Sequence, residues 1–156
     1  MNYQASKGTV FRKIKRWLCF LVVFICLGYH LAHGERYAVS VPKANVRSGP
    51  GKQYDWIWQV EKYYPVQVLK KSGSWYLFRD FEGDEGWIHK SLLRKMSTVI
   101  TRKKKCNSRA GPGTKYPIEF TVGEGIPFKV IERKGNWFHI EHADGDKGWI
   151  HKSLVW

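Results

Sequence analysis

Apolar and polar residues alternate along this chain in short blocks that are separated by turns containing Gly and Pro. The clearest block runs from Tyr54 to Val60, where every second residue is aromatic or apolar, and this period of two predicts a half-buried strand. Runs rich in β-branched and aromatic residues predict four more strands, at Tyr37–Val41, Val66–Leu69, Trp75–Arg79 and Gly86–His89. A short helical turn is expected at Ser91–Leu93. Five short strands indicate an all-β fold, in the form of a small closed or nearly closed barrel.

The whole pattern occurs twice, with a spacing of 62 residues. The segment Gly86–Leu92 returns unchanged as Gly148–Leu154, and the 48 positions from Asn45 to Leu92 contain 20 identities with the second copy. Solenoid repeats usually have periods of about 20–50 residues, so each copy is predicted to be a small domain of its own. Position 56 is apolar in both copies, and we therefore expect Trp56 to face the core.

These boundaries predict two tandem barrels. We place barrel 1 at residues 35–93, a short linker at residues 94–98 and barrel 2 at residues 99–156. The linker has neither Gly nor Pro, so we expect the two barrels to touch or to be held at a fixed angle.

Residues 1–34 have the organisation of an export signal. A basic start precedes the apolar run Trp17–Leu27, and Ala32-His33-Gly34 places small residues at the positions that a signal peptidase inspects. The apolar run has 11 residues, whereas a membrane-spanning helix needs about 20. We therefore expect cleavage and a protein that works in the periplasm or cell envelope. The alternative is an uncleaved inner-membrane anchor formed by residues 17–32.

The part of the chain after residue 34 is strongly basic. It has 22 Lys and Arg against 13 Asp and Glu, a net charge of +9. This balance favours an anionic partner such as a polymer, a membrane surface or nucleic acid, although a charge that serves solubility is the alternative. Cys106 aligns with Ala44 of the first copy, so we expect a buried small residue rather than a disulfide between molecules.

Both copies resemble the bacterial SH3-like domain family. The segment Asn45–Gly51, followed by Tyr54, is similar to the opening signature of the family, and the second copy repeats it at Asn107–Gly113. Gly86-Trp87-Ile88 is similar to a later landmark of the family. The resemblance spans about residues 37–155 and implies a barrel of five to six strands with a binding or targeting role.

The same resemblance implies contact with the cell wall, because many members of the family lie beside peptidoglycan hydrolases and contact wall peptides or glycans. No catalytic domain accompanies the barrels in this sequence, which departs from that arrangement. The closing segment also resembles a eukaryotic SH3 motif, but Leu92 stands where that motif has its Tyr. This replacement argues against recognition of proline-rich peptides.

Aromatic and histidine side chains are the candidate ligand contacts. Trp75 lies on a strand face that it shares with Leu77 and the polar Arg79. Trp87 and His89 lie on the face opposite the core position Ile88. Together the three residues predict a ligand shelf. The alternative is that these rings pack beneath the long first loop. The complete set of candidates is Tyr54, Tyr63, Trp75, Phe81, Trp87, His89, Tyr116, Trp137, Trp149 and His151.

Two of these candidates are distinguished by the difference between the copies. Tyr63 aligns with Gly125 and Phe81 aligns with Ala143. The fold does not need a ring at either position, so we expect both rings to be exposed in barrel 1 and to bind ligand there.

Catalytic chemistry has little support in the sequence. His139, Glu141 and His142 lack metal-ligand spacing on a strand, and the histidines at 89 and 151 belong to separate copies. We therefore expect no enzyme, no metal site and no cofactor.

Together these features predict an extracytoplasmic adaptor that binds cell-wall material or an envelope protein. The alternative is a structural scaffold that acts only through protein–protein contacts. The export signal argues against nucleic acid as the partner, and contact with a membrane is expected only if the N-terminal segment stays uncleaved.

Overall fold

Two antiparallel sheets account for most of the described chain, one for each repeat. The computed structural model describes residues 34–156, so the predicted export signal lies outside the described residues apart from Gly34. None of the helical segments within 34–156 has the length and apolar character needed to cross a membrane.

The first sheet has seven strands in the order β3-β2-β6-β5-β4-β1-β7. Their bounds are β1 Glu35–Val39, β2 Lys43–Arg47, β3 Trp56–Glu61, β4 Pro65–Ser72, β5 Trp75–Arg79, β6 Glu85–His89 and β7 Leu93–Arg94. A short 3₁₀ helix, Lys90–Leu92, joins the last two strands.

The second sheet has six strands in the order β10-β9-β13-β12-β11-β8. Their bounds are β8 Thr98–Ile100, β9 Cys106–Arg109, β10 Ile118–Val122, β11 Pro127–Lys134, β12 Trp137–Glu141 and β13 Lys147–His151. A 3₁₀ helix, Lys152–Leu154, follows β13. The predicted all-β class is confirmed, while the predicted domain boundaries stay a prediction.

Each sheet encloses a small apolar core. In barrel 1 the largest fully buried side chains are Phe78 and Ile88, and in barrel 2 they include Phe128, Ile140 and Ile150. Truncating a buried Phe to Ala typically costs about 3–5 kcal/mol, a large share of the stability of a domain of this size.

Cys106 is fully buried in the core of barrel 2, which confirms the prediction of a small buried residue. Burial raises the pKa of its thiol, and the thiol donates to the carbonyl oxygen of Lys103 at 3.3 Å. The neutral thiol therefore acts as a small core side chain with a local hydrogen-bond partner.

Strand β2 was not predicted from the sequence. Its inward positions are occupied by Ala44 and Val46, while Lys43, Asn45 and Arg47 alternate with them on the outward side. The outward residues are polar and the inward ones small, so the segment lacks the aromatic content that identified the other strands.

The prediction that Trp56 faces the core is wrong. Val46 pairs with Trp58 and Arg47 pairs with Trp56, so Ile57 is an additional residue that has no partner of its own. On the N-terminal side of Trp58, this β-bulge reverses which side chains of β3 point inward and which point outward. As a result, Trp56 is 57% exposed.

The two barrels touch one another. The guanidinium carbon of Arg36 lies 4.1 Å from the centre of the Trp156 ring, a cation–π contact between the barrels. Phe81 of barrel 1 also approaches Gly125 of barrel 2.

Candidate ligand-binding grooves

A cavity of about 600 Å³ opens on the outer face of barrel 1, and we call it groove 1. Strand β2 supplies one wall, and the ends of β5 and β6 supply the other. The residues that line it are Lys43, Ala44, Asn45, Arg47, Lys52, Gln59, Trp75, His89, Ser91 and Leu92.

A second cavity, groove 2, occupies the equivalent place in barrel 2 and has a volume of about 330 Å³. Every residue that lines it lies 62 positions after a residue that lines groove 1. The lining residues are Lys105, Asn107, Arg109, Thr114, Trp137, His151, Ser153 and Leu154. The duplication has therefore preserved a surface cavity as well as a fold.

Both grooves are cationic. Lys43, Arg47 and Lys52 line groove 1, and Lys105 and Arg109 line groove 2, whereas no Asp or Glu is among the described residues that line either one. Lys52 is replaced by Thr114 in the second copy, so groove 1 has one more cation. Glu61 is the cross-strand partner of Lys43 but does not line groove 1. The excess of Lys and Arg in the lining favours an anionic group, and a carboxylate fits the fork of an Arg guanidinium.

Trp75 and His89 are direct cross-strand partners at the edge of groove 1. Their rings meet edge to face with centroids 5.3 Å apart, and Trp137 and His151 repeat this contact at 5.2 Å. The structure therefore brings together four of the ten predicted residues, two in each groove.

The imidazole of His89 is oriented by the turn that follows it. Its Nδ1 atom accepts the backbone N–H of Ser91 at 3.4 Å and lies 2.7 Å from the Ser91 hydroxyl. Acceptance of this N–H at Nδ1 corresponds to the tautomer that carries its proton on Nε2. His151 and Ser153 have the same arrangement.

Arg47 holds the loop beside groove 1. Its Nη1 atom donates to the carbonyl oxygens of Lys52 and Tyr54, at 3.2 and 2.8 Å. The ring of Tyr54 covers Gly49, where a Cβ atom would collide with it. The predicted contact Tyr54 thus lies on the loop and does not line the groove.

Barrel 2 has the same loop support. Arg109 donates to the carbonyl oxygen of Tyr116 at 2.8 Å, and the Tyr116 ring covers Gly111. Tyr116 therefore has the loop position of its counterpart and also lies outside the groove lining.

Trp87 and Trp149 are half-buried on the same outer sheet face but do not line the grooves. Arg47 pairs with Trp87, and Arg109 pairs with Trp149. The ring of His139 stacks on that of Trp149, with ring centroids 4.9 Å apart and an angle of 10° between the ring planes. These two tryptophans flank the grooves instead of forming them.

The prediction that Tyr63 is exposed is wrong. The residue is only 8% exposed, and its backbone has a φ of 72°, in the left-handed region where Gly125 stands in barrel 2. The tight turn there directs the ring inward, and a Tyr at this position bears backbone strain that a Gly does not.

Phe81 is half-buried beside a third cavity of about 440 Å³, which barrel 2 borders through Glu124 and Gly125. Its ring meets Tyr64 edge to face, with centroids 6.3 Å apart. The structure therefore does not bring Phe81 together with Trp75 and His89.

Three acids near this third cavity, Asp80, Glu82 and Asp84, have carboxylate oxygens within 4.8 Å of one another. Oδ1 of Asp80 accepts the backbone N–H groups of residues 82, 83 and 84, and Oδ2 accepts the hydroxyl of Tyr64 at 3.0 Å. Burial, together with this carboxylate, raises the pKa of Tyr64. The Asp80 carboxylate therefore fixes the turn between β5 and β6, and both of its oxygens already accept hydrogen bonds.

Sequence reasoning missed the polar wall of both grooves. Lys43, Asn45 and Arg47 are identical in the second copy and point outward on an unpredicted strand. Outward polar residues that recur at the 62-residue spacing were the signal that could have identified them.

The chain is similar to proteins named as cell-wall amidases. It is 28% identical over 135 residues to "Putative N-acetylmuramoyl-L-alanine amidase YrvJ" of Bacillus subtilis. The matched region covers 80% of this chain and 26% of that protein. It is 38% identical over 52 residues to "Probable cell wall amidase LytH" of Staphylococcus epidermidis. The matched region covers 33% of this chain and 18% of that protein. The chain thus spans about a quarter or less of the length of these relatives.

Solved structures are more distant. An NlpC/P60 family protein from Bacillus cereus has a TM-score of 0.38 at 14% identity, over 78% of this chain and 56% of that one. NlpC2 from Trichomonas vaginalis has a TM-score of 0.34 at 15% identity, over 78% and 47%. At these values the likeness says nothing about function.

The prediction that the protein is not an enzyme is contradicted by the relatives, since both carry the name of an amidase. That prediction rested on the side chains of the two barrels alone. Side chains within a barrel do not determine the activity of the proteins in which such barrels occur, so the exclusion of enzymes is withdrawn.

The family itself is shown by a direct match. The family model described as "Bacterial SH3 domain" matches residues 40–95 and again residues 102–156. The first match contains β2 to β7 and the second contains β9 to β13, and together they include every residue that lines groove 1 or groove 2. The chain belongs to the bacterial SH3 domain family and carries two copies of the domain.

Proposed function

We propose that the tandem barrels bind peptidoglycan, with each groove receiving an anionic group of the wall. The observation that carries this proposal is the duplicated groove. In each copy Lys, Asn and Arg from one short segment, β2 in barrel 1 or residues 105–109 in barrel 2, line the same groove as the Trp–His pair of the neighbouring hairpin. The fold alone would allow many different residues at these outward positions. Five polar or aromatic residues are nevertheless identical in the two copies, which supports a shared ligand.

The chemistry of the groove fits the peptide stems of peptidoglycan, which carry carboxylates. Lys43 and Lys52 supply positive charge, and the Nε2–H of His89 supplies a directed donor. Trp75 adds an apolar surface at the edge of the groove. Charge-assisted hydrogen bonds of this kind are about twice as strong as neutral ones.

Barrels that bind the wall would work outside the cytoplasm, and the names of the relatives support a location at the cell wall. An envelope protein with an acidic surface is the other partner that the basic grooves would fit. Purified sacculi that have been stripped of protein separate the two partners.

A second candidate function is hydrolysis of peptidoglycan, favoured by the amidase names of the relatives. In this role the barrels would hold the wall substrate. Release of dye from labelled sacculi measures hydrolysis separately from binding, and absence of release under conditions where the protein is bound would count against this candidate.

Binding is tested by co-sedimentation of the protein with purified sacculi, at about 0.05 M and about 0.5 M NaCl. We expect sedimentation at low salt and its loss at high salt, because screening shortens the range of exposed charges. Sacculi from which phosphate polymers have been removed distinguish carboxylates from phosphates as the anionic group. If the protein stays in the supernatant at low salt with both preparations, the proposal is wrong.

A further inference from the structure

Trp56 lies in a row of side chains that crosses three strands of barrel 1. Arg47 of β2 pairs with Trp56 of β3 on one side and with Trp87 of β6 on the other. Directly paired residues project from the same face of a sheet. The row therefore places a cation between two indoles on the outer face, and Arg47 also lines groove 1.

The β-bulge at Ile57 turns Trp56 out of the core and onto this face. The indole Nε1–H donates to the carbonyl oxygen of Trp58 at 2.9 Å. That bond fixes the ring and satisfies its one polar group, so Trp56 offers a partner only an apolar ring surface. Contiguous apolar surface that is exposed to solvent often marks a binding site, and an aromatic ring provides much of such surface.

Two further large apolar side chains close to Trp56 in sequence are exposed. Ile57 is 46% exposed and Tyr54 is 41% exposed. We call Tyr54, Trp56 and Ile57 the apolar platform. Arg47 is the cross-strand partner of Trp56 and also lines groove 1. A broad apolar surface of a protein partner would have to desolvate Arg47. A single ring with polar edges can instead cover Trp56 and leave Arg47 and the lysines of groove 1 in contact with polar groups.

We propose that Trp56 is a stacking subsite for a sugar ring of the glycan strand, beside the groove that receives the carboxylate. This inference rests on the proposed function, in which groove 1 binds peptidoglycan. One face of an N-acetyl sugar presents C–H groups that pack against the negative face of an indole, while its hydroxyl and amide groups stay in water or reach Arg47.

Barrel 2 lacks this subsite. The equivalent row there consists of Ile118, Arg109 and Trp149, and the same bulge leaves Ile118 50% exposed. An Ile offers no flat ring, so barrel 2 reads the anionic group alone. Barrel 1 reads the sugar and the anionic group together, and the two copies have different ligand preferences.

The test exchanges the two equivalent residues in the full chain, because both side chains are exposed and each residue already occupies this position in one copy. The variants are Trp56→Ile and Ile118→Trp, and the probe is the N-acetylglucosamine tetramer, which is neutral and has no carboxylate. Binding is followed by NMR on the indole N–H signals. We expect the tetramer to shift the Trp56 signal, Trp56→Ile to lower the association constant roughly tenfold, and Ile118→Trp to raise it.

Sacculi provide the second measurement and separate the two proposals. Salt-sensitive sedimentation of Trp56→Ile, together with its weak tetramer binding, supports the subsite. If the wild type does not bind the tetramer, or if Trp56→Ile binds it as well as the wild type does, the subsite is refuted even when sacculi are bound. Loss in Trp56→Ile of binding to anionic phospholipid vesicles, with tetramer binding unchanged, would assign the platform to a membrane instead. Failure of the wild type to sediment with sacculi at low salt refutes the proposed function itself.

Discussion

Replacing Ser108 with Val is expected to stabilise barrel 2. The Ser108 side chain is fully buried, and its hydroxyl oxygen has no hydrogen-bond partner among residues 34–156. The equivalent residue in barrel 1 is Val46, which is also fully buried and belongs to the core. Gly148 faces Ser108 as Gly86 faces Val46, so the fold already accommodates a Val at this position.

The magnitude follows from two terms. A buried hydroxyl without a partner costs about 1–3 kcal/mol, and Val adds about one buried methyl group, worth about 0.8 kcal/mol. We therefore expect the free energy of unfolding of barrel 2 to rise by about 2–4 kcal/mol, which for a domain of this size raises Tm by on the order of 10 °C.

Urea denaturation followed by tryptophan fluorescence measures this change, and an unchanged m value shows that the unfolded state is not affected. Val46→Ser is the matched control, and it should destabilise barrel 1 by a similar amount. If Ser108→Val left stability unchanged or lowered it, the hydroxyl would have to have a partner, such as a buried water, and the reasoning would be refuted.

Three further predictions concern single residues. Burial raises the pKa of the Cys106 thiol, so, with the two cysteines of the N-terminal segment replaced by Ser, a thiol reagent should label Cys106 only after unfolding; rapid labelling of the folded protein would contradict its burial. Gly135 has a φ of 57° and open space around it, so Gly135→Ala should cost about 1 kcal/mol, whereas Gly123→Ala, which is equally open and has no positive φ, should cost much less; equal costs would count against backbone strain. A hydrogen bond from Lys71 lowers the pKa of Glu35 from 4.5 to about 2, so its stabilising contribution is complete above about pH 4.5 and is lost as the pH falls through about 2; in an NMR titration Lys71→Met should move this pKa back toward 4.5, and no movement would refute the pairing.

The architecture was largely predictable because duplication is visible in the sequence without knowledge of the fold. Identities at a constant spacing placed both copies, and alternation located the strands that have aromatic or β-branched inward residues. It failed at β2, where the two inward residues, Ala44 and Val46, are small and no aromatic residue accompanies them. It also failed at Trp56, because a bulge adds one residue to a strand without leaving a signal in its hydrophobicity.

The site was only partly predictable. His89 was predicted because it lies next to the core residue Ile88 on β6 and therefore points to the opposite face. Trp75 was predicted because its own strand face is partly polar. Their partners Lys43 and Arg47 come from a strand more than 25 positions away in sequence, and only the pairing of strands brings the two sides together. Tyr63 shows the converse error, since a difference between copies reflected a backbone requirement and not exposure.

The most direct test of the central claim, that the duplicated grooves bind an anionic wall polymer, is quantitative co-sedimentation of charge-matched variants with purified sacculi at low salt. The groove variant is Lys43→Gln with Lys105→Gln, and the control is Lys70→Gln with Lys134→Gln, two exposed lysines that line none of the described cavities. Both variants lose the same charge. We predict that the groove variant loses most of its sedimentation while the control keeps it. Equal losses in the two variants would show that the overall basic charge binds the wall, and would contradict the assignment of binding to the grooves.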